Sequence, residues 1–303
     1  MQRFARFLLV SWIVSLGLPN AAVTQQFGSA RAEWTTPIAP FRMTDNIYYV
    51  GSKDLAAYLI VTPAGDILIN SNLVSSPPQI LDSIRKLGIK PTDVKILLIS
   101  HAHFDHDAGS AELKKATGAK YMVMDGDVAV VESGGAKDFA YPGDRYPAAK
   151  VDRVLHDGDE VRLGGVGLTA HKTAGHTRGC TTWTLSSPVN GTAHDVVIVG
   201  SWNVNGGFRL VDQPGKPASY PGIAQDYEHS FAVWKSLKGD VFLGAHGSYF
   251  NMLAKLEKAQ AGRGEAVWLD QEGYKAAVEQ HQRAFEAELN RQQRVSGSHQ
   301  SLR

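Results

Sequence analysis

The amino-acid sequence predicts a layered α/β fold in one continuous domain, with helices on the outside. Three observations carry that expectation. After Trp34, short β-rich runs alternate with amphipathic stretches, and no internal repeat, low-complexity tract or linker interrupts them. The run Val94–Ile99 is apolar enough for a strand buried on both faces, which requires a layer on each side of it. The 303 residues include 43% hydrophobic and 20% charged side chains, enough to bury a substantial core, and a lone cysteine, Cys180, excludes an intramolecular disulfide.

The elements follow in order. Residues 1–22 read as a signal peptide. Arg3 and Arg6 form a positive start, Phe7 to Leu18 is apolar apart from Ser11, Ser15 and Gly17, and Ala21 and Ala22 are small. The apolar stretch falls short of the ~20 residues that cross a bilayer. Cleavage is expected between 20 and 30, with Gly28-Ser29-Ala30 a second candidate, and the mature protein is expected in the periplasm or secreted. The folded domain is expected over 31–294, followed by a polar tail at 295–303.

Within the domain, Ile47–Val50, Leu55–Val61 and Ile67–Ile69 have the composition of a strand meander, with Pro63-Ala64-Gly65-Asp66 as a turn. Ile80, Ile84 and Leu87 share one helical face ending at Gly88. Val94–Ile99 then leads into a cluster of histidines. Val151–Leu155, Val161–Leu163, Val166–Ala170, Thr182–Leu185 and Val196–Val199 form a second set of strands. Helices are expected over 223–237 and 249–261, with strand Val241–Leu243 between them. A final helix over 272–292 has Tyr274, Val278, Phe285 and Leu289 on its apolar side.

Charge narrows the function classes. The balance is 31 Lys and Arg against 30 Asp and Glu, becoming 29 against 30 once the leader is removed. Neither nucleic acid nor, after cleavage, a membrane is an expected partner, because no basic patch or Lys/Arg-aromatic surface is present. A small-molecule substrate and a monomer are expected.

The chemistry-bearing run is Ser100-His101-Ala102-His103-Phe104-Asp105-His106. In extended chain, positions i and i+2 point the same way, so His101 and His103 can bind one ion together. Asp105 and His106 follow at the turn into a helix, where they can serve a second ion nearby. Nitrogen ligands with one carboxylate and no thiolate favour zinc, with iron, manganese and cobalt also compatible. Solvated histidines in a polar turn would not account for this density. Two more ligands come from strand ends: His176 in a Gly-bounded loop and His246 after Phe242-Leu243-Gly244-Ala245. His171 reads as a structural histidine, His156 as a turn residue and His194 as a loop residue. His229 and His281 fall on helices where exposure is expected, and His299 lies in the tail.

The run His101-Ala102-His103-Phe104-Asp105-His106 resembles the HxHxDH motif of the metallo-β-lactamase superfamily. Within it, Trp34 to Pro40, Ala174-Gly175-His176-Thr177-Arg178-Gly179, Thr182-Trp183-Thr184 and Tyr227 to Phe231 resemble class B β-lactamases of subclass three, over nearly all the mature chain. That resemblance implies a four-layer αβ/βα sandwich with a dinuclear metal site at the sheet edge. It implies a first Zn2+ on His101, His103 and His176, and a second on Asp105, His106 and His246. It further implies zinc-dependent hydrolysis of the β-lactam amide of penicillins, cephalosporins or carbapenems by a bridging hydroxide, with Asp105 orienting the nucleophile and no covalent acyl-enzyme.

Ser201 stands where related thioesterases and lactonases carry a bridging aspartate and where the other two subclasses place a cysteine. An exported dinuclear hydrolase of another ester, lactone or thioester is the alternative. Ser201 and Asn203, projecting beyond the strand, are candidates to hold the substrate carboxylate, with strand-end hydrogen bonding as the plainer role. Phe139, Tyr141, Tyr146 and Trp34 are candidate apolar walls. Cys180 is expected to be structural. Asn70 occupies a place where many relatives have Asp, so the hydrogen bonding behind the metal site is expected to differ.

Overall fold

The structure, a computed structural model, describes residues 32–300, with side chains described to 296. The expected leader lies outside the described residues. Two sheets face each other. The first has seven strands in the spatial order β1-β2-β3-β4-β5-β6-β7: β1 Phe41–Arg42, β2 Ile47–Tyr49, β3 Tyr58–Thr62, β4 Gly65–Ile69, β5 Val94–Leu98, β6 Lys120–Met124 and β7 Arg153–Leu155. The second has five in the order β12-β11-β10-β9-β8: β8 Glu160–Leu163, β9 Val166–Lys172, β10 Thr181–Val189, β11 Thr192–Val199 and β12 Val241–Gly244. The helices are α1 Pro77–Lys86, α2 Phe104–Asp107, α3 Ser110–Thr117, α4 Val128–Glu132, α5 Ile223–Ser236, α6 Met252–Lys258 and α7 Gln271–Gln300.

Strand periodicity explains the layering. In β5 the side chains of Ile96 and Leu98 enter the core between the sheets, while Leu97 joins a second core beneath α1 and α3. Tyr58 and Ile60 of β3 divide from Leu59 in the same way. Because both faces of each strand are covered, an apolar run without alternation is what this position requires. On the far side, Tyr227 and Phe231 of α5 stack on Phe285 of α7, and the Trp234 C=O accepts from Tyr274 OH of α7. The expected four-layer sandwich of the metallo-β-lactamase fold is present.

Several elements differ from expectation. β1, β6, α3 and α4 are additional to the strands and helices assigned from sequence. β3 begins at Tyr58 rather than Leu55, because Ala56 N–H donates to Ala245 C=O and Leu55 bridges His246, so this backbone is committed to the other sheet's end. The helix expected over 249–261 is divided into a 3-10 turn Gly247–Phe250, α6 and a π turn Ala259–Arg263; Asn251, with φ +54°, makes the first break. The last helix passes its expected end at 292 and enters the segment assigned to a polar tail. Its inner stripe turns polar there. Gln292 Oε1 accepts from Leu210 N–H, its Nε2 donates to Phe208 C=O, and Ser296 Oγ donates to Asp212 C=O. A search for apolar spacing alone stops at Leu289.

Topology decides where the chemistry can gather. β4 and β5 run parallel, as do β11 and β12, while β9 and β11 each pair antiparallel with β10. The carboxyl ends of β4, β5, β9, β11 and β12 therefore open onto one edge. Thr181 N–H donating to Ser100 C=O and Trp183 Nε1–H donating to Ile99 C=O lock the two sheets together at that edge.

Candidate metal centre

Each histidine-bearing segment leaves a strand end and turns its side chain into the gap between the sheets. His101 and His103 follow β5, Asp105 and His106 lie in α2, His176 follows β9 and His246 follows β12. The rings of His101, His103 and His176 stand 4.6–4.9 Å apart, edge to face, and one ligand atom from each lies within 4.8 Å of the others. A second set converges beside the first. His106 Nε2 is 3.1 Å from His246 Nε2 and 3.4 Å from Asp105 Oδ2, and His246 Nε2 is 3.6 Å from Asp105 Oδ2. All six residues predicted as ligands are brought together, and all are buried or nearly so.

The outer partners indicate which nitrogens point inward. His176 Nδ1 faces Asn203 C=O at 2.8 Å and His246 Nδ1 faces Asp54 Oδ2 at 2.9 Å, so each carries a hydrogen on Nδ1 and turns Nε2 toward the site. His103 turns Nε2 toward Asp138 and leaves Nδ1 for the site. At the second set, two imidazole Nε2 atoms and a carboxylate oxygen meet at 3.1–3.6 Å. Such a meeting is repulsive unless a proton on one imidazole or a metal ion lies among them. Ligands at the ~2.0–2.1 Å of zinc–nitrogen and zinc–oxygen bonds in a tetrahedron stand ~3.3–3.4 Å from one another. The donor set fits a metal.

Electrostatics agree. Burial pushes His101 down, His103 to about 4, and His106 and His176 to about 3, so these imidazoles are neutral at pH 7 and available as ligands. For His246 burial acts in the same sense, but the adjacent carboxylates of Asp105 and Asp54, the latter hydrogen-bonded to Nδ1, outweigh it and raise the imidazole to about 9. Burial would raise the Asp54 carboxyl, yet His246 and the backbone of Ser248 bring it down to about 2. Burial is likewise overcome at Asp105, held ionised by His106 and His246. Of the two facing imidazoles it is His246 that keeps a proton, because two carboxylates flank it.

The supporting contacts include residues that sequence spacing did not single out. Asp127 spans two ligand loops. Its Oδ2 accepts from Ala102 N–H and Thr177 Oγ1, both at 2.8 Å, and its Oδ1 accepts from Gly179 N–H at 2.8 Å. Asp54 binds His246, Trp34 Nε1 at 3.1 Å and Ser248 N–H. Neither belongs to a local motif, since their partners are up to 194 residues away. Asn70 takes φ +71° and bridges backbones: Ser100 N–H donates to its Oδ1, and its Nδ2 donates to Ala56 C=O. An aspartate here could not make the second bond without a proton, which gives the departure at this position a physical reason.

A cavity of about 1010 Å³ opens over the cluster. Trp34 and Tyr141 line it as expected, together with Phe104, Asn203, Asn205 and Tyr249. Phe139 instead packs on Phe208 and Tyr220, and Tyr146 is drawn inward to Ala102 C=O. Asn203 reaches the cavity. Ser201 is only 1% exposed and does not line it; its hydroxyl sits against Tyr249 OH at 3.1 Å, which also accepts from Asn203 Nδ2. Tyr249, absent from the expected set, takes the surface place assigned to Ser201. Among the described residues, no lysine or arginine lines the cavity.

The remaining histidines separate from the site. His171 bonds Thr184 Oγ1 across β9 and β10, and His156 and His194 approach Asp159 and Asp240. His281 departs from the expected exposure: it is half-buried and stacks on Trp202 at 4.5 Å. The side chain of His299 lies outside the described set. Cys180 is buried in the core, against Ser201 C=O.

Comparison with known proteins gives a consistent picture. Residues 56–246 match the family model of the metallo-β-lactamase superfamily. The native FEZ-1 metallo-β-lactamase of Legionella gormanii is 50% identical, with a TM-score of 0.82 over 85% of this chain and 98% of that one. BJP-1, a subclass B3 metallo-β-lactamase of Bradyrhizobium japonicum, is 37% identical, with a TM-score of 0.79 over 88% of this chain and 99% of that one. Among curated sequences, a hydroxyacylglutathione hydrolase of a Methylobacterium strain is 32% identical over 93 residues. The chain spans 40% and 30% of the length of the first two curated relatives it matches.

Proposed function

The chain belongs to the metallo-β-lactamase superfamily, and on that premise we propose that it hydrolyses the amide bond of β-lactam antibiotics with two zinc ions. The observation that carries this reading is the extent of likeness. It runs over 98–99% of two metallo-β-lactamase structures, at 50% and 37% identity, but over only 30% of the hydroxyacylglutathione hydrolase. The end of β11 supports it too, because Ser201 there is engaged with Tyr249 and brings no second carboxylate between the two donor sets.

His101, His103 and His176 would hold one ion, and Asp105, His106 and His246 the other. Bound there, the ions supply Lewis acidity toward the carbonyl and acidify water into a nucleophile near neutral pH. The chain's own groups do the rest. Asp105, ionised and fixed between His106 and His246, accepts a hydrogen bond from the attacking water and orients it; its depressed pKa makes it an orienting group rather than the final base. Asn203 and the Tyr249 hydroxyl hold the substrate carboxylate with neutral dipoles, since no lysine or arginine lines the cavity among the described residues. Trp34, Phe104 and Tyr141 press on the substrate's apolar faces and displace water. We further propose that the protein is exported and monomeric, with the leader at 1–22 removed; N-terminal sequencing and sedimentation test this.

The deciding experiment is turnover of a chromogenic cephalosporin and a carbapenem by the zinc-loaded protein, with and without chelator, beside a lactone and a glutathione thioester. Chelator-sensitive β-lactam turnover is expected. Cleavage of the lactone or thioester alone would sink the substrate assignment.

A further inference from the structure

We propose that Asp138 is the positioning carboxylate of His103: it orients the ring so that Nδ1 faces the first metal, and it ties occupancy of that site to the loop carrying Tyr141. This rests on the reading of His103 as a first-site ligand. His103 Nε2 is buried without a hydrogen-bond partner among the described residues, and the group in front of it is Asp138 Oδ2, at 3.6 Å. Asp138 is itself only 6% exposed, and no lysine or arginine pairs with it among the described residues. Its other oxygen, Oδ1, accepts from Ala140 N–H at 2.7 Å, so the carboxylate is aimed from within its own loop.

A buried carboxylate without a cationic partner is costly, and so is a buried imidazole N–H without an acceptor. The two deficits face each other. A shift of less than about 1 Å would bring the pair to hydrogen-bond distance. A metal on Nδ1 provides the drive, because it withdraws electrons from the ring and makes Nε2–H a stronger donor. The same ring lies 5.0 Å from Tyr141, which lines the cavity three residues beyond Asp138. His246 with Asp54 at 2.9 Å shows the closed form of this arrangement at the second set.

The test is metal binding by the full chain, read by competition with a chromophoric chelator and by the d–d spectrum of the cobalt(II)-substituted protein. Asp138→Asn keeps the shape and loses the charge; Asp138→Ala removes the acceptor. Expected are about tenfold and about 100-fold weaker binding of the first ion, with an altered cobalt spectrum and less than about threefold change at the second. A merely structural role would lower the Tm of the metal-free protein and leave the spectrum as it is. Should Asp138→Ala fail to fold, the isosteric Asp138→Asn decides. First-ion affinity within about twofold of wild type in Asp138→Asn, with an unchanged spectrum, overturns this inference alone. Failure of the wild type to bind cobalt through these histidines overturns the ligand reading with it.

Discussion

Replacing Gly175 by alanine tests how the fold aims His176. Gly175 has φ +133°, a conformation that residues with a Cβ rarely adopt. A Cβ built there would lie 2.7 Å from Tyr227 Cγ and 2.8 Å from both Cδ atoms. The ring cannot retreat easily. Tyr227 is fully buried, its hydroxyl donates to Asn203 C=O at 2.6 Å, and its ring stacks on Phe285 at 5.2 Å. The backbone conformation contributes about 1–3 kcal/mol and the overpacking about 1–3 kcal/mol, so a total near 4 kcal/mol is expected. For a domain of this size that lowers Tm by roughly 8–16 °C. Displacement of the adjacent His176 should weaken the first metal by about tenfold. In a Tyr227→Ala background the steric part disappears and Gly175→Ala should cost only about 1–3 kcal/mol. The assay is thermal and denaturant unfolding of the four proteins, with a metal titration of each. A Gly175→Ala protein within about 2 °C of wild type, or equal costs in both backgrounds, would refute the reasoning.

Other outcomes follow from the same geometry. Because His246 is raised to about 9 in the metal-free protein, binding the second ion at pH 7 should release close to one proton, measurable by calorimetry in buffers of different ionisation enthalpy. The His246 contribution to metal-free stability should be full below its unfolded value of about 6.5 and fade as pH rises through about 9; a contribution that grows over that window would contradict the assignment. Asp54→Asn should weaken the second metal by about 10–100-fold while leaving the first nearly untouched, read by sequential cobalt titration. Asn203→Ala should raise KM for a β-lactam by about tenfold, as loss of one substrate hydrogen bond would, and Ser201→Ala by less, since its hydroxyl acts indirectly, through Tyr249 and the Asn203 N–H. Stripping the ions should lower Tm by roughly 8–16 °C for each ion removed, corresponding to the ~4 kcal/mol that a ligand at 1,000 times its Kd contributes per site.

What the sequence determined by itself is the chemistry that is local in the chain. His101, His103, Asp105 and His106 crowd one strand end, and that density is legible because extended chain and a following turn have fixed side-chain directions. His176 and His246 were legible for a related reason, each following a short apolar run or a glycine turn at the end of a strand. The α/β layering could be read from the apolar run that follows Lys95, of which Ile96–Leu98 is the buried part of the strand, because such a run suits a strand covered on both faces. Tertiary structure alone decided what depends on distant contacts. Asp127 joins loops 25 and 50 residues away, Asp54 reaches His246 across 192, and Tyr249 displaces Ser201 from the cavity across 48. Gln292 extends the last helix's inner stripe by bonding the backbone of Phe208 and Leu210, a role no hydrophobic period signals. A ligand announces itself by its residue type and its neighbours in sequence. The acceptor that aims a ligand has no such signature, because any buried carboxylate or amide can fill that place, and only the folded chain selects the one that does.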